Sequence, residues 1–179
     1  MPSKTAAGRF EKYAARARAG GADFARVIPA RQVVIAEWVR LKCQYGCGGF
    51  NKRLCCPPHS PSPETTRRML GEYRHALVYS YPGRESARHR AKMMRLLAGI
   101  ERAAFLDGHY RAFAMGAGPC RLCRTCNVGG LCRFPYLARP AMEACGIDVY
   151  ATARHAGIPL EVVTRADGPV RYVSLVLLD

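Results

Sequence analysis

Nine cysteines fall into two short runs and one isolated position, and this arrangement constrains the chain more than any helix or strand signal. The first run is Cys43-x3-Cys47-x7-Cys55-Cys56, followed by Pro57-Pro58. The second is Cys120-x2-Cys123-x2-Cys126-x5-Cys132. Cys145 stands apart. A disulfide framework fits poorly. The count is odd, the spacings within each run are too tight for comfortable disulfide geometry, and no apolar export signal follows Met1-Pro2-Ser3-Lys4. Clustered thiols in a reducing compartment point instead to a metal, and the expected location is the cytoplasm.

Each run has its own chemistry. Three cysteines at two-residue gaps wrap a loop around one cubane corner, because each step places a sulfur on a different iron. Zinc ribbons use two CxxC knuckles separated by a longer hairpin, and the step from Cys126 to Cys132 is short for that. The second run therefore reads as a 4Fe-4S ligand set, with Zn2+ as the alternative. In the first run, Cys56 precedes proline, a common exit from a cluster, since proline fixes the chain direction and has no N–H. Adjacent cysteines seldom serve one metal, so Cys56 is favoured over Cys55.

The spacing leaves the partition of ligands open. In one arrangement Cys120, Cys123, Cys126 and Cys132 complete a cluster. Cys43, Cys47 and Cys56 then hold a second one, whose fourth ligand is Cys55, Cys145, His59 or nothing. In the other, as in two-cluster ferredoxins, Cys56 joins Cys120, Cys123 and Cys126, while Cys132 joins Cys43 and Cys47. Both require the two loops to lie close in space.

The chain of 179 residues is sized for one domain spanning 1–179, with 1–22 as an N-terminal tail and helix. The expected class is α/β, with a mixed β-sheet flanked by helices and two cysteine-rich metal-binding loops inserted between elements. Helices are expected over Phe10 to Arg18, from the Ser62-Pro63-Glu64 start through Met69, Leu70, Tyr73 and Leu77, over Arg84 to Leu106, and over Pro140 to Ala156 with a break at Gly146. Strands are expected over Gln32 to Leu41, Ala76 to Tyr81, His109 to Met115, Leu160 to Thr164 and Val170 to Leu178. The last two form a hairpin around Asp167-Gly168, and the final strand, apolar on both faces, is expected to be central. No run of about 18 apolar residues exists to span a membrane.

The residues Lys42-Cys43-Gln44-Tyr45-Gly46-Cys47, Cys56-Pro57-Pro58, Gly118-Pro119-Cys120 through Cys132, and Ala138-Arg139-Pro140-Ala141-Met142-Glu143-Ala144-Cys145-Gly146-Ile147-Asp148-Val149 resemble a known family. It is the "predicted metal-binding protein" family, a domain of unknown function (2284), and the resemblance runs from about Val33 to Leu177. It implies a cytoplasmic protein whose cysteines bind metal, with iron–sulfur chemistry expected, and it names no reaction. Cys55 and Cys145 stand where the family usually has other residues. The resemblance thus favours seven metal ligands: Cys43, Cys47, Cys56, Cys120, Cys123, Cys126 and Cys132.

The charge is +15, from 28 Lys and Arg against 13 Asp and Glu, and this favours an acidic partner. Arg121, Arg124 and Arg133 flank the second run, and Lys42, Lys52 and Arg53 flank the first. They suit a cluster tuned by nearby cations and docked by an acidic redox protein. Arg139 and Glu143 open the expected helix after the second run, whose N-terminus could face the cluster or an anion, or be an ordinary capped end. No phosphate loop, Ser/His/Asp set or paired carboxylates appear. Three functions compete: an electron-transfer module, an iron–sulfur enzyme or sulfur/metal carrier with an open iron, and a zinc-stabilised nucleic-acid binder using the Arg84 to Arg102 helix.

Overall fold

The computed structural model describes residues 6–83, 86–165 and 168–179. Its first helix follows from spacing. Phe10, Tyr13, Ala14 and Ala17 recur at positions that share one helix face, and all four are buried in α1, Ala6–Ala19. β1, Phe24–Pro29, follows on a segment where no strand is expected.

The strand expected over Gln32 to Leu41 is replaced by a 3-10 turn, Ala30–Gln32, and a helix, α2, Glu37–Gly46. Val33, Val34 and Ile35 stay extended only long enough for a single bridge, Ile35 to Ile147. Beyond it, Val39 is the only buried residue of α2. A surface segment with no neighbouring strand satisfies its backbone groups by coiling into a helix.

Three further helices begin as capping chemistry dictates. In α3, Pro63–Leu70, the Ser62 hydroxyl accepts from Thr65 N–H at 3.1 Å, and the helix stops short of the expected Tyr73 and Leu77, because residues 75–82 are drawn into the sheet. In α4, Ala87–Leu106, Ser86 caps His89 N–H at 3.3 Å. Arg84 lies outside the described residues. In α5, Val149–His155, Asp148 caps Ala151 N–H at 3.0 Å. The helix expected over Pro140 to Ala156 is thus only α5 and a 3-10 turn, Glu143–Cys145, which ends at Gly146 with φ of 81°. A Cβ at Gly146 would meet Pro63 Cγ at 2.6 Å, so glycine also allows this turn to pack on α3.

The remaining strands are β2, His75–Pro82, β3, Phe113–Met115, and β4, Arg171–Leu178. β3 is shorter than the His109 to Met115 segment expected, because His109 closes the turn after α4 through Ala104 O. No strand forms over residues 160–164, and Asp167 of the expected hairpin lies outside the described residues. The sheet order is β1-β2-β4-β3, with β4 central as its apolar pattern predicts. Where mixed strands are expected, all three ladders are antiparallel, and the parallel pairing shrinks to one bridge, Gly116 to Ala141.

Alternation along β2 and β4 builds two apolar layers, and the molecule is α/β with helices on both faces of the sheet. Leu77, Tyr79, Val176 and Leu178 pack under α1 and α4. Ala76, Val78, Leu175 and Leu177 pack against Met142, Ile147 and Ala153 on the other side. No helix among the described residues is long and apolar enough to cross a membrane.

This frame positions the cysteines. The first loop joins α2 to α3. The second leaves β3 and is pinched at its base by Gly116 N–H to Pro140 O and Met142 N–H to Gly116 O, both 2.8 Å. Everything between, residues 117–140, is extruded from the sheet.

Candidate metal centre

Arg40 of α2 fixes the floor of the first loop. Its guanidinium donates to Pro61 O at 2.8 Å and to Ala144 O at 2.7 Å, and the Ser60 hydroxyl donates to the same Ala144 carbonyl at 2.7 Å. One cation thereby holds α2, the end of the first loop and the Glu143–Cys145 turn together. Cys43, on the last turn of α2, rests its sulfur 3.9 Å from Glu143 O. Cys47 follows the helix end and accepts from Gly49 N–H at 3.4 Å.

Cys56 is returned to this place by a compact turn, with Asn51 in the left-handed region at φ of 51° and Asn51 N–H donating to Pro57 O at 2.7 Å. The Pro57–Pro58 peptide is cis. The bare α-carbon of Gly49 faces two of the thiols. A Cβ there would stand 3.5 Å from Cys47 Sγ and 3.7 Å from Cys56 Sγ. Cys43, Cys47 and Cys56 line one cavity of about 180 Å³, together with Pro119, Ala141 and Glu143. Burial raises the Cys43 thiol, and it pushes Cys56 up to about 11, with Cys47 and Cys43 adding to the shift of Cys56. Thiolates so crowded need a cation to neutralise them.

The second group forms around Cys120. Its sulfur accepts from Cys55 and from Leu122 N–H, so the Cys120 thiol is lowered and the Cys55 thiol raised. Cys132 also acts on Cys55, and Cys120, Cys126 and Cys132 all act on Cys123 after its burial. The adjacent pair thus divides, with Cys56 facing Cys43 and Cys47 and Cys55 facing Cys120. Sequence spacing favours Cys56 over Cys55 and gives no sign that Cys55 serves the other loop.

The two loops lie together, as both ligand partitions require. Leu54 N–H donates to Cys126 Sγ at 3.4 Å, and the Arg53 guanidinium donates to Cys123 O at 3.4 Å. Arg53 lowers both Cys56 and Cys120, which places one cation between the groups. Cys132 sits with Cys123 and Cys55 and caps Phe134 N–H at 3.4 Å. Cys56 shares its cavity with Cys43 and Cys47 and is also acted on by Cys120.

The other candidates are engaged elsewhere. Cys145 is fully buried in the apolar layer with Met142 and Ile147, and burial pushes its thiol up to about 12. His59 Nε2 lies 3.0 Å from Asn51 Oδ1 and clasps its own loop. Arg139 opens no helix toward a ligand. It forms a two-pronged ion pair with Glu101 at 2.6 and 2.7 Å, and Glu101 also accepts from Ala114 N–H.

Glu143, expected in the first turn of a helix, begins the 3-10 turn instead. Its carboxylate accepts from Gly118 N–H and its own N–H, burial raises its pKa, and Oε2 has no partner although sealed from solvent. It also lines a neighbouring pocket of about 270 Å³ that reaches Cys43, Trp38, Lys42 and Tyr172. Among the described residues no three His, Cys, Asp or Glu side chains are drawn together as for a single ion. The thiols line the walls of an open space instead.

Two loops of facing thiols carried on an α/β sheet define a cysteine-rich metal-binding protein. The donor set fits: soft thiols, mostly half-buried, with the Arg53 cation acting on both groups and a buried carboxylate oxygen left unpaired. The chain belongs to the family described as predicted metal-binding protein (DUF2284), which matches it over residues 26–178. No curated protein and no solved structure matches the chain.

Proposed function

We propose that this chain is an iron–sulfur protein carrying two 4Fe-4S clusters and passing electrons to or from an acidic partner protein in the cytoplasm. The observation that carries this reading is that Cys56 lines one cavity with Cys43 and Cys47, while its neighbour Cys55 packs against the layer that contains Cys120. Cys43, Cys47 and Cys56 would hold one cluster. The other would be held by Cys120, Cys123, Cys126 and Cys132, with Cys55 beside Cys120.

Donor spacing supports clusters over Zn2+. A tetrahedral ion with bonds of about 2.3 Å draws its thiolates to within about 4 Å of one another. Here three thiols surround a cavity of about 180 Å³ and do not converge as a single-ion site. A bound cluster would supply one-electron chemistry. The chain's own contribution is charge. Arg53, between the groups, favours the more negative, reduced form, and the exposed Arg121, Arg124 and Lys52 favour docking of an acidic surface.

The enzyme or sulfur-carrier reading keeps a specific support. The first group has three thiols, and the pocket of about 270 Å³ shares Cys43 and Glu143 with it. The nucleic-acid reading rests on Arg88, Lys92, Arg95 and Arg102, which are exposed along α4, and it ranks third because no aromatic side chains alternate with them.

The test is iron, acid-labile sulfide and the visible spectrum of protein purified without oxygen. About eight irons with matching sulfide per chain is the expected result for two cubanes, and about four would leave one. Colourless protein with stoichiometric zinc and no sulfide would overturn the reading. It would bring nucleic-acid retention at low salt forward as the next assay.

A further inference from the structure

The first group is one ligand short of a complete cluster, and each expected source of the fourth ligand is otherwise engaged. Cys55 donates to Cys120. Cys145 lies in the core layer with Met142 and Ile147. His59 is exposed and faces Asn51. A different side chain already stands on the cavity wall. Glu143 lines the same space as Cys43, Cys47 and Cys56, and its backbone carbonyl lies 3.9 Å from the Cys43 sulfur.

The carboxylate of Glu143 is positioned from both sides. Gly118, at the mouth of the second loop, turns with φ of 62° and offers its N–H to the carboxylate. Arg40 ties the next residue, Ala144, to α2 through its carbonyl at 2.7 Å. Within that clamp Oε2 has no hydrogen-bond partner and almost no solvent contact. A buried, unpaired carboxylate oxygen is costly, and native proteins seldom leave one without a use. Among the described residues Glu143 forms no ion pair, although Arg40 and Lys42 are on the adjoining helix. Lys42 leans on Trp38 instead, 5.9 Å from the ring centre.

We propose that Glu143 is the fourth ligand at the Cys43, Cys47 and Cys56 site, a carboxylate oxygen completing three thiolates. This rests on the reading that these cysteines hold a cluster. Oxygen is a harder and more exchangeable ligand for iron than thiolate. The iron it holds is therefore the one that a small molecule in the adjoining pocket could reach, because Glu143 and Cys43 form the common wall. The pocket is lined by Trp38, Ile147 and Tyr172, with Lys42 and Arg171 set against Glu143 and Asp148, which suits a small compound with an apolar body.

The experiment is Mössbauer spectroscopy of the full-length chain reconstituted with iron-57, with iron counts, for the parent, Glu143→Gln, Glu143→Asp and Cys47→Ser. In the parent, one iron of the first cluster should be distinct from its three thiolate-bound neighbours. Glu143→Gln should lose that one iron per chain and show the EPR signal of a three-iron cluster. Glu143→Asp should retain it. An unchanged spectrum and iron count in Glu143→Gln, with the cluster lost in Cys47→Ser, would overturn the Glu143 assignment alone. Iron unaffected by Cys47→Ser would overturn both the assignment and the cluster reading at this site. If Glu143→Gln fails to fold, a parent spectrum without a distinct iron overturns the assignment, and a distinct iron whose isomer shift moves in Glu143→Asp supports it.

Discussion

Side-chain direction separates residues that the sequence leaves equivalent. Cys145 lies two residues from Glu143, yet its sulfur points into the apolar layer while the carboxylate lines the thiol cavity. A core thiol is there for its volume. Cys145→Ala is therefore expected to lower unfolding free energy by about 1 kcal/mol in urea titration, as a small cavity does, with iron content unchanged. A loss of iron in proportion to the substitution would make Cys145 a ligand. The two cysteine runs were legible because spacing reports a loop that can wrap a metal, whereas the choice of seven among the nine came only from the family resemblance. The role of Cys55 was not legible, since which way a side chain leaves an irregular loop depends on contacts such as Leu54 N–H to Cys126 Sγ, 72 residues away in sequence. Glu143 was hidden for the same reason. Its setting depends on Gly118, which spacing does not connect to it.

Helices with a buried stripe or a hydroxyl cap, α1, α3 and α4, were readable because the signal is local. β1 was not, because an edge strand with Arg26 exposed and Ala25 and Val27 turned inward carries a weak pattern. The segment 32–41 was misread because Val, Ile and Trp raise strand propensity wherever they occur, and only a partner strand turns that preference into structure. The docking of α1 has a pH signature. His109 stacks edge-on against Phe10 and Tyr13, with ring centres 5.1 and 6.1 Å away. Burial lowers its pKa below 6.5. Arg9 and Lys12 push the same way, while Asp107 and Asp179 oppose them. The unfolded chain then binds the proton more readily, so this contribution to stability is complete above about pH 6.5 and is lost as pH falls through the lowered value. His109→Gln should flatten the acid limb of a stability–pH profile relative to the parent. Parallel profiles would assign that limb to other groups. The loops have an electrostatic counterpart in Arg53, which faces both thiol groups. Arg53→Gln should lower both reduction potentials in a redox titration, because removing a positive charge disfavours the more negative reduced state. A change at one potential only would place Arg53 with one group.

Across the whole molecule, stability is distributed unevenly between the sheet and the loops. The sheet is sealed on both faces: Leu77, Val78, Leu175, Val176 and Leu177 are all fully buried. The second loop has little of its own to pack. Leu131 is 89% exposed and Tyr136 is 88% exposed, and apart from Cys120 the loop's contact with the core is limited to half-buried side chains such as Leu122 and Ala138. What holds it is the pair of hydrogen bonds at its base, the contacts of Arg53 and Leu54, and the thiols. Segments with few buried apolar contacts open at low free energy. A metal bridging their thiols adds its binding free energy to the closed state, as it does in small metal-stapled folds. Removing metal with a chelator under reducing conditions should therefore loosen the loops and leave the sheet. Limited proteolysis of the metal-free chain is expected to cut first within residues 117–140 and then within 47–62, while far-ultraviolet dichroism keeps its helix and sheet content. The arginines of the second loop make trypsin a direct probe, since Arg121, Arg124 and Arg133 lie inside it. If the dichroism instead collapses together with loop cleavage, the metal is required for the sheet itself. The clamp of Gly116 on Pro140 and Met142 would then transmit the loss from the loop base into β3 and the central strand.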